Sequence, residues 1–164
     1  MAHMMRRSDK EISERDEIKA ILKEANHVTI AMSIDNEPYL ATLSHGYDST
    51  RNCVYFHCAQ EGKKVEILKL NPLVWGQALI DNGYQQGSCD HLYRTAQFRG
   101  KVTFVEDQAE KIHALEVLIR HLDENPEETI ARQITPHSTG RILVGRIDID
   151  YLSGKKADKT TIQL

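Results

Sequence analysis

Apolar positions along this chain change period several times, and each change marks an element. Ile18, Ile21, Leu22 and Ala25 recur at helical spacing. They follow a Ser13-Glu14-Arg15-Asp16 run able to cap a helix start. At Asn26 the period drops to two. Val28, Ile30, Met32 and Ile34 alternate with small or polar residues, as in a half-buried strand. Asp35-Asn36 supplies turn chemistry. A second strand is expected from Pro38 to Tyr47, with the proline at its start, where a missing N–H is tolerated. A polar loop over 48–52 leads to a third strand, Cys53 to Cys58, so two successive hairpins open the fold.

The helical period returns over Lys63–Leu70, with Val65, Ile67 and Leu68 apolar, and Asn71-Pro72 stops it. Leu73 to Ile80 reads as a strand carrying the single tryptophan, Trp75. Asp81 to Asp90 reads as a polar loop, from its Asn82-Gly83 and Gly87-Ser88 turn signals. Leu92 to Val105 is a long strand with a bend expected at Gly100. Ala109, Ile112, Leu115, Leu118, Ile119 and Leu122 mark a helix over Glu106–Leu122. Pro126 and Pro136 punctuate an irregular segment. Ile142, Val144, Ile147 and Ile149 close the pattern as a strand reaching Tyr151.

About six strands against two or three helices, with the early strands joined by hairpins, predict a mainly β (α+β) fold. The expected architecture is a six-stranded antiparallel sheet or small barrel with flanking helices. A barrel of that size fills its interior with side chains, so a ligand must sit outside it or between subunits. One domain is expected over 5–154, with 155–164 as a C-terminal tail and 1–4 (Met1-Ala2-His3-Met4) as a cloning remnant.

Composition narrows the function. A net charge of −3 over 164 residues gives no basic field for nucleic acid. No apolar run approaches the ~20 residues of a membrane span, and the N-terminus has no apolar leader core. Three cysteines, Cys53, Cys58 and Cys89, make no even disulfide framework, so free thiols in a reducing cytoplasm are expected. No residues stand at metal-ligand spacing, and no nucleophile motif is present, so no metal site is assigned.

The remaining chemistry gathers at Gly62-Lys63-Lys64. A strand ends, a glycine follows, and two lysines open a helix. Free backbone N–H groups, the positive end of the helix dipole and two ammonium groups all attract a phosphate. The spacing is that of neither a P-loop nor a dinucleotide fingerprint. A solvated pair of lysines is the plain alternative. Thr42 and Ser44 on the second strand, His57 at the end of the third, and Arg94 and Thr95 on the long strand are polar residues able to line the same pocket.

Several stretches, in this order and spacing, carry a resemblance. They are Glu37-Pro38-Tyr39, Gly46-Tyr47-Asp48, Val54 to Ala59 with Glu61-Gly62-Lys63-Lys64, Asn71-Pro72, Tyr93-Arg94-Thr95, Phe98 to Val102 and Val105-Glu106-Asp107. The chain resembles the pyridoxamine 5'-phosphate oxidase-like FMN-binding split-barrel flavoproteins, in the branch of the nitroimidazole-resistance proteins, from about Arg6 to about Gly154. The resemblance implies a homodimer with FMN at the subunit interface. It implies Lys63 and Lys64 on the phosphate, and Thr42, Leu43 and Ser44 along the isoalloxazine. Phe56 and His57 match another flavin-lining pair, and Thr95 a polar flavin contact. His57 also resembles a histidine on the substrate side, which makes it the candidate catalytic residue. Resistance proteins carry Pro and Asn where this chain has Thr42 and Ser44, and only Arg141 and Arg146 loosely answer the arginines that hold pyridoxal phosphate in the oxidase proper. The expected activity is flavin-dependent oxidation or reduction of a small organic molecule. The alternatives are a flavin-storing protein and a haem-handling split barrel with His57 or another histidine on the iron.

Overall fold

The computed structural model describes residues 5–159; the expected cloning remnant at 1–4 and half of the expected tail, 160–164, lie outside the described residues. Eight strands form one sheet: β1 (Glu11–Ile12), β2 (His27–Ile34), β3 (Glu37–Ser44), β4 (Gly46–Asp48), β5 (Cys53–Cys58), β6 (Leu73–Gln85), β7 (Asp90–Phe104) and β8 (Leu143–Ala157). Five helices accompany them: α1 (Arg15–Glu24), α2 (Lys63–Leu70), α3 (Gln108–Leu122), α4 (Pro126–Gln133) and α5 (Pro136–Arg141). Every strand pair is antiparallel, in the order β3-β2-β6-β7-β8-β5-β4, with β1 added to β8.

That order makes a split barrel. β3 and β4 lie at opposite ends of the sheet, yet only His45 separates them in sequence. Ser44 pairs with His27 of β2, and Gly46 pairs with Tyr55 of β5. The chain crosses from one sheet edge to the other in one residue, so the sheet has to curl until its edges meet. The strand expected from Pro38 to Tyr47 is therefore two strands broken at His45, and with the two-residue β1 this accounts for eight strands where the pattern predicts six long ones.

The barrel interior is full. Val28, Ile30, Val54, Phe56, Phe98 and Ile147 are completely buried there, and α1 (Ile21, Leu22) and α2 (Ile67, Leu68) bury their apolar faces in the same cluster. Two aromatic rings lie flat over glycines of the neighbouring strand: Phe98 over its cross-strand partner Gly76, and Phe56 over Gly145. A Cβ at either glycine would collide with the ring. A second cluster covers the outside of β5 and β8, where Cys53, Tyr55 and Val144 meet Ala114, Leu115 and Leu118 of α3.

Several boundaries differ from the sequence pattern. Pairing of β6 and β7 runs through most of the expected 81–90 loop, to Gln85 opposite Asp90. The register shifts between Asp81 and Gly83, and Gly83 takes φ +93°. The Asn-Gly signal thus serves a bulge rather than a turn. The bend expected at Gly100 is also a register shift, at Arg99/Gly100 opposite β8. β8 continues past Tyr151, and past the expected domain limit at 154, because Gly154 to Ala157 pair with β7. Ser13 makes no cap: Glu14 is the N-cap of α1, with no side-chain bond. The segment around Pro126 and Pro136 is helical, each proline opening a helix where its missing N–H costs nothing.

Candidate functional site

The helix α2 starts at Gly62, whose φ of 136° and ψ of 162° belong to a region only glycine enters readily. No side chain caps this end. The first amides with partners are those of Val65 and Glu66, both bonded to the Gly62 carbonyl. The Lys63 and Lys64 amides therefore remain free among the described residues, and the positive end of the helix faces outward.

The two lysines diverge. Lys63 reaches β3, where Nζ lies 3.2 Å from Glu37 Oε1 and 4.9 Å from the centre of the Tyr39 ring. Both partners of that ion pair are more than half exposed, so it holds Lys63 only weakly. Lys64 lies close enough to His57 and Cys58 for its charge to act on both: burial lowers the His57 pKa and Lys64 adds to this, while burial raises the Cys58 pKa and Lys64 only partly opposes it.

β3, which carries Glu37 and Tyr39, is the last strand of the sheet. Beyond its pairing with β2 it has no further backbone partner among the described residues, so half of its amides and carbonyls line a free edge. Thr42 and Ser44 point outward, and the Thr42 hydroxyl lies 2.9 Å from that of Thr29. Leu43 points inward and is 8% exposed. Phe56 is likewise inside the barrel core. These two residues can offer a ligand their backbone only.

His57 continues the outer face of β5 after Cys53 and Tyr55, beyond the reach of α3's covering side chains. It opens onto a hollow of about 390 Å³ between β5, α3, α4 and α5. Desolvation by these apolar walls lowers its pKa, and Lys64 lowers it further, so the ring is neutral near pH 7. Its nitrogens have no hydrogen-bond partner among the described residues. The other helix- and seam-bound histidines do: His45 and His121 bond the carbonyls of Leu22 and Ala25, and His113 bonds Asp48 at 2.7 Å.

Thr95 does not join this group. It lies on β7, three strands from β3 in the order β3-β2-β6-β7, a separation of about 14 Å at the usual strand spacing. It belongs instead to an outward face that no helix covers. Thr42, Thr29, Gln77, Gln97 and Ser153 form one row across this face, and Leu40, Ala31, Trp75, Arg99 and Tyr151 the next. Leu40, Trp75 and Leu79 are 65%, 45% and 52% exposed there. Nothing in the alternation of these strands distinguishes a solvated face from a docking face.

Of the loosely matched arginines, Arg146 is fully engaged. It donates to Glu110 at 2.7 Å and lies 2.9 Å from Asp148. Glu110 also accepts from Tyr55 and Arg51, which fastens α3 to the outside of β5 and β8. Burial pushes the Glu110 carboxyl up, but the Arg146 and Tyr55 hydrogen bonds outweigh it and hold the pKa below its usual value. Arg141 lies 3.2 Å from His137 on the surface. No group of three metal-ligating side chains occurs among the described residues, and none of their helices is long and apolar enough to cross a membrane.

Comparison with known proteins agrees with this architecture. The sequence profile of the pyridoxamine 5'-phosphate oxidase family matches residues 14–156. A candidate 5-nitroimidazole antibiotic resistance protein from Bacteroides thetaiotaomicron superposes with a TM-score of 0.76 at 26% identity, over 89% of this chain and 86% of that one. The flavocytochrome Anf3 from Azotobacter vinelandii superposes with a TM-score of 0.82 at 16% identity, over 98% and 75% of the two chains. A FAD and heme binding protein from Mycobacterium smegmatis gives 0.78 at 16% identity, over 94% and 77%. No curated protein matches the sequence significantly.

Proposed function

The chain belongs to the pyridoxamine 5'-phosphate oxidase family, and from that premise we propose that it is an FMN-dependent oxidoreductase of a small organic molecule, working as a homodimer. The observation that carries this reading is the uncapped start of α2, with Lys63 and Lys64, beside the free edge of β3. The donor set fits a flavin monophosphate: two cations and free amides suit a dianion, and a bare strand edge suits the polar rim of a flat heterocycle. Lys63 and Lys64 would hold the phosphate, and the backbone of Thr42, Leu43 and Ser44 would bond the ring. A bound flavin would supply hydride or single-electron transfer, which no side chain here can supply. His57, neutral and without a partner, would bond the reacting molecule or hold a proton for it.

Placement supports the dimer: Thr95 lies three strands from β3, and the bare face bearing Leu40, Trp75 and Leu79 suits contact with a second copy. A haem reading would also use His57, and the absorption spectrum of the purified protein separates flavin from haem.

The test is FMN titration of the Lys63→Ala/Lys64→Ala double variant. Affinity should fall by about 2–4 kcal/mol, allowing ~1.5–3 for each charged hydrogen bond and some replacement by water. Riboflavin, lacking the phosphate, should bind both proteins alike. An unchanged FMN dissociation constant would remove the assignment.

A further inference from the structure

The hollow beside His57 lies between the outer face of β5 and the helices α3, α4 and α5. Its inner wall is Leu115, Leu118 and Ile119 of α3, and its outer wall is Ile134 and Ile142, carried by the α4–α5 segment. At about 390 Å³ it lies within the range of small-molecule sites.

The polar groups around it are mostly spent. Asp123 accepts from the Asn125 amide and from Thr129. Ser138 and Thr135 close a capping box on α5, and the Ser138 hydroxyl also donates to the Gln133 carbonyl. No lysine or arginine lines the hollow. His57 and Gln133 are the exceptions: the imidazole has both nitrogens unpartnered, and the Gln133 carboxamide likewise has no partner among the described residues. A half-open, mainly apolar hollow with an unengaged imidazole suits a molecule with an apolar body and few hydrogen-bonding groups, and it offers an anion no cationic side chain.

We propose that this hollow binds a small uncharged molecule of about the size of a bicyclic aromatic, anchored by a hydrogen bond to His57 and enclosed by α4 and α5. The proposal deepens the flavin reading, and rests on it, in making this molecule the one presented to the flavin.

The experiment uses 5-fluoroindole as the neutral probe, followed by fluorine NMR, with its N-methyl derivative and 5-fluoroindole-2-carboxylate as comparators. The wild type should bind 5-fluoroindole and shift the His57 imidazole resonances. N-methylation should weaken binding about five-fold, the equivalent of one hydrogen bond, and the carboxylate should bind more weakly still. Leu122→Trp fills the hollow from a half-exposed position and should weaken binding by at least about ten-fold. His57→Phe should make the indole and its N-methyl derivative equivalent. Indole binding untouched by both substitutions, a carboxylate that binds as well as the neutral probe, or no saturation by about 10 mM would each overturn the proposal. FMN titration of the same samples separates the two readings. Probe binding without FMN binding overturns the flavin assignment alone, and FMN binding without probe binding overturns the site alone.

Discussion

His45 makes the barrel seam sensitive to acid. It is completely buried, its Nε2 lies 2.8 Å from the Leu22 carbonyl, and its Nδ1 has no partner. The ring of His121 lies 4.7 Å away. Burial lowers the pKa from the ordinary 6.5 to about 4, and the nearby His121 and His27 push it the same way. The unfolded chain therefore takes up a proton near pH 6.5 and the folded chain only near pH 4. Between those values the unfolded state binds more protons, so stability falls as the pH drops from about 6.5 and the loss is complete near 4. At about 1.4 kcal/mol per pH unit, the total is about 3 kcal/mol, a large share of a typical folding free energy. Paired carboxylates such as Asp48 and Glu110, whose pKa values are held below the ordinary carboxylate range, contribute at lower pH. Urea unfolding midpoints at pH 7.5, 6.5, 5.5 and 4.5 should show the decline in wild type. In His45→Gln, which keeps an N–H donor for Leu22 and does not titrate, most of it should vanish, whatever the absolute stability of the variant. Equal declines in the two proteins would refute the argument.

Three further outcomes are expected. Gly76→Ala should destabilise the barrel by about 2–3 kcal/mol through overpacking against Phe98, and Phe98→Leu should recover part of the loss; additive effects in a double-mutant cycle would contradict the ring-on-glycine account. Trp75→Glu should split the proposed dimer in sedimentation by placing a charge in the middle of its bare face, and an unchanged sedimentation coefficient would locate any dimer contact elsewhere. His57→Gln should leave FMN affinity within about two-fold but change flavin reduction or reoxidation at least about ten-fold, and rates indistinguishable across pH 5 to 9 by stopped flow would exclude a catalytic role.

The local periods of this sequence determine nearly all its elements, because burying one face of a strand or helix demands the alternation seen at Val28–Ile34 or Leu115–Leu122. The Asp35-Asn36 turn was equally legible, since both residues take the positive φ that a two-residue hairpin needs. Gly62-Lys63-Lys64 could be proposed as an anion site from sequence because its chemistry is contiguous in the chain. Other features depend on residues distant in sequence. That β3 and β4 form opposite sheet edges joined by His45 follows from pairings with β2 and β5, and no local pattern encodes it. The far end of the β6–β7 ribbon, over 81–90, looked like a loop because its Asn-Gly signal is the same whether a turn or a bulge uses the positive φ. The hollow at His57 needs α3, α4, α5 and β5 together, and only the helices opened by Pro126 and Pro136 bring its outer wall into place. Sequence sets which groups are available; the separation of Thr95 on β7 from Thr42 and Ser44 on β3 is decided by strand order.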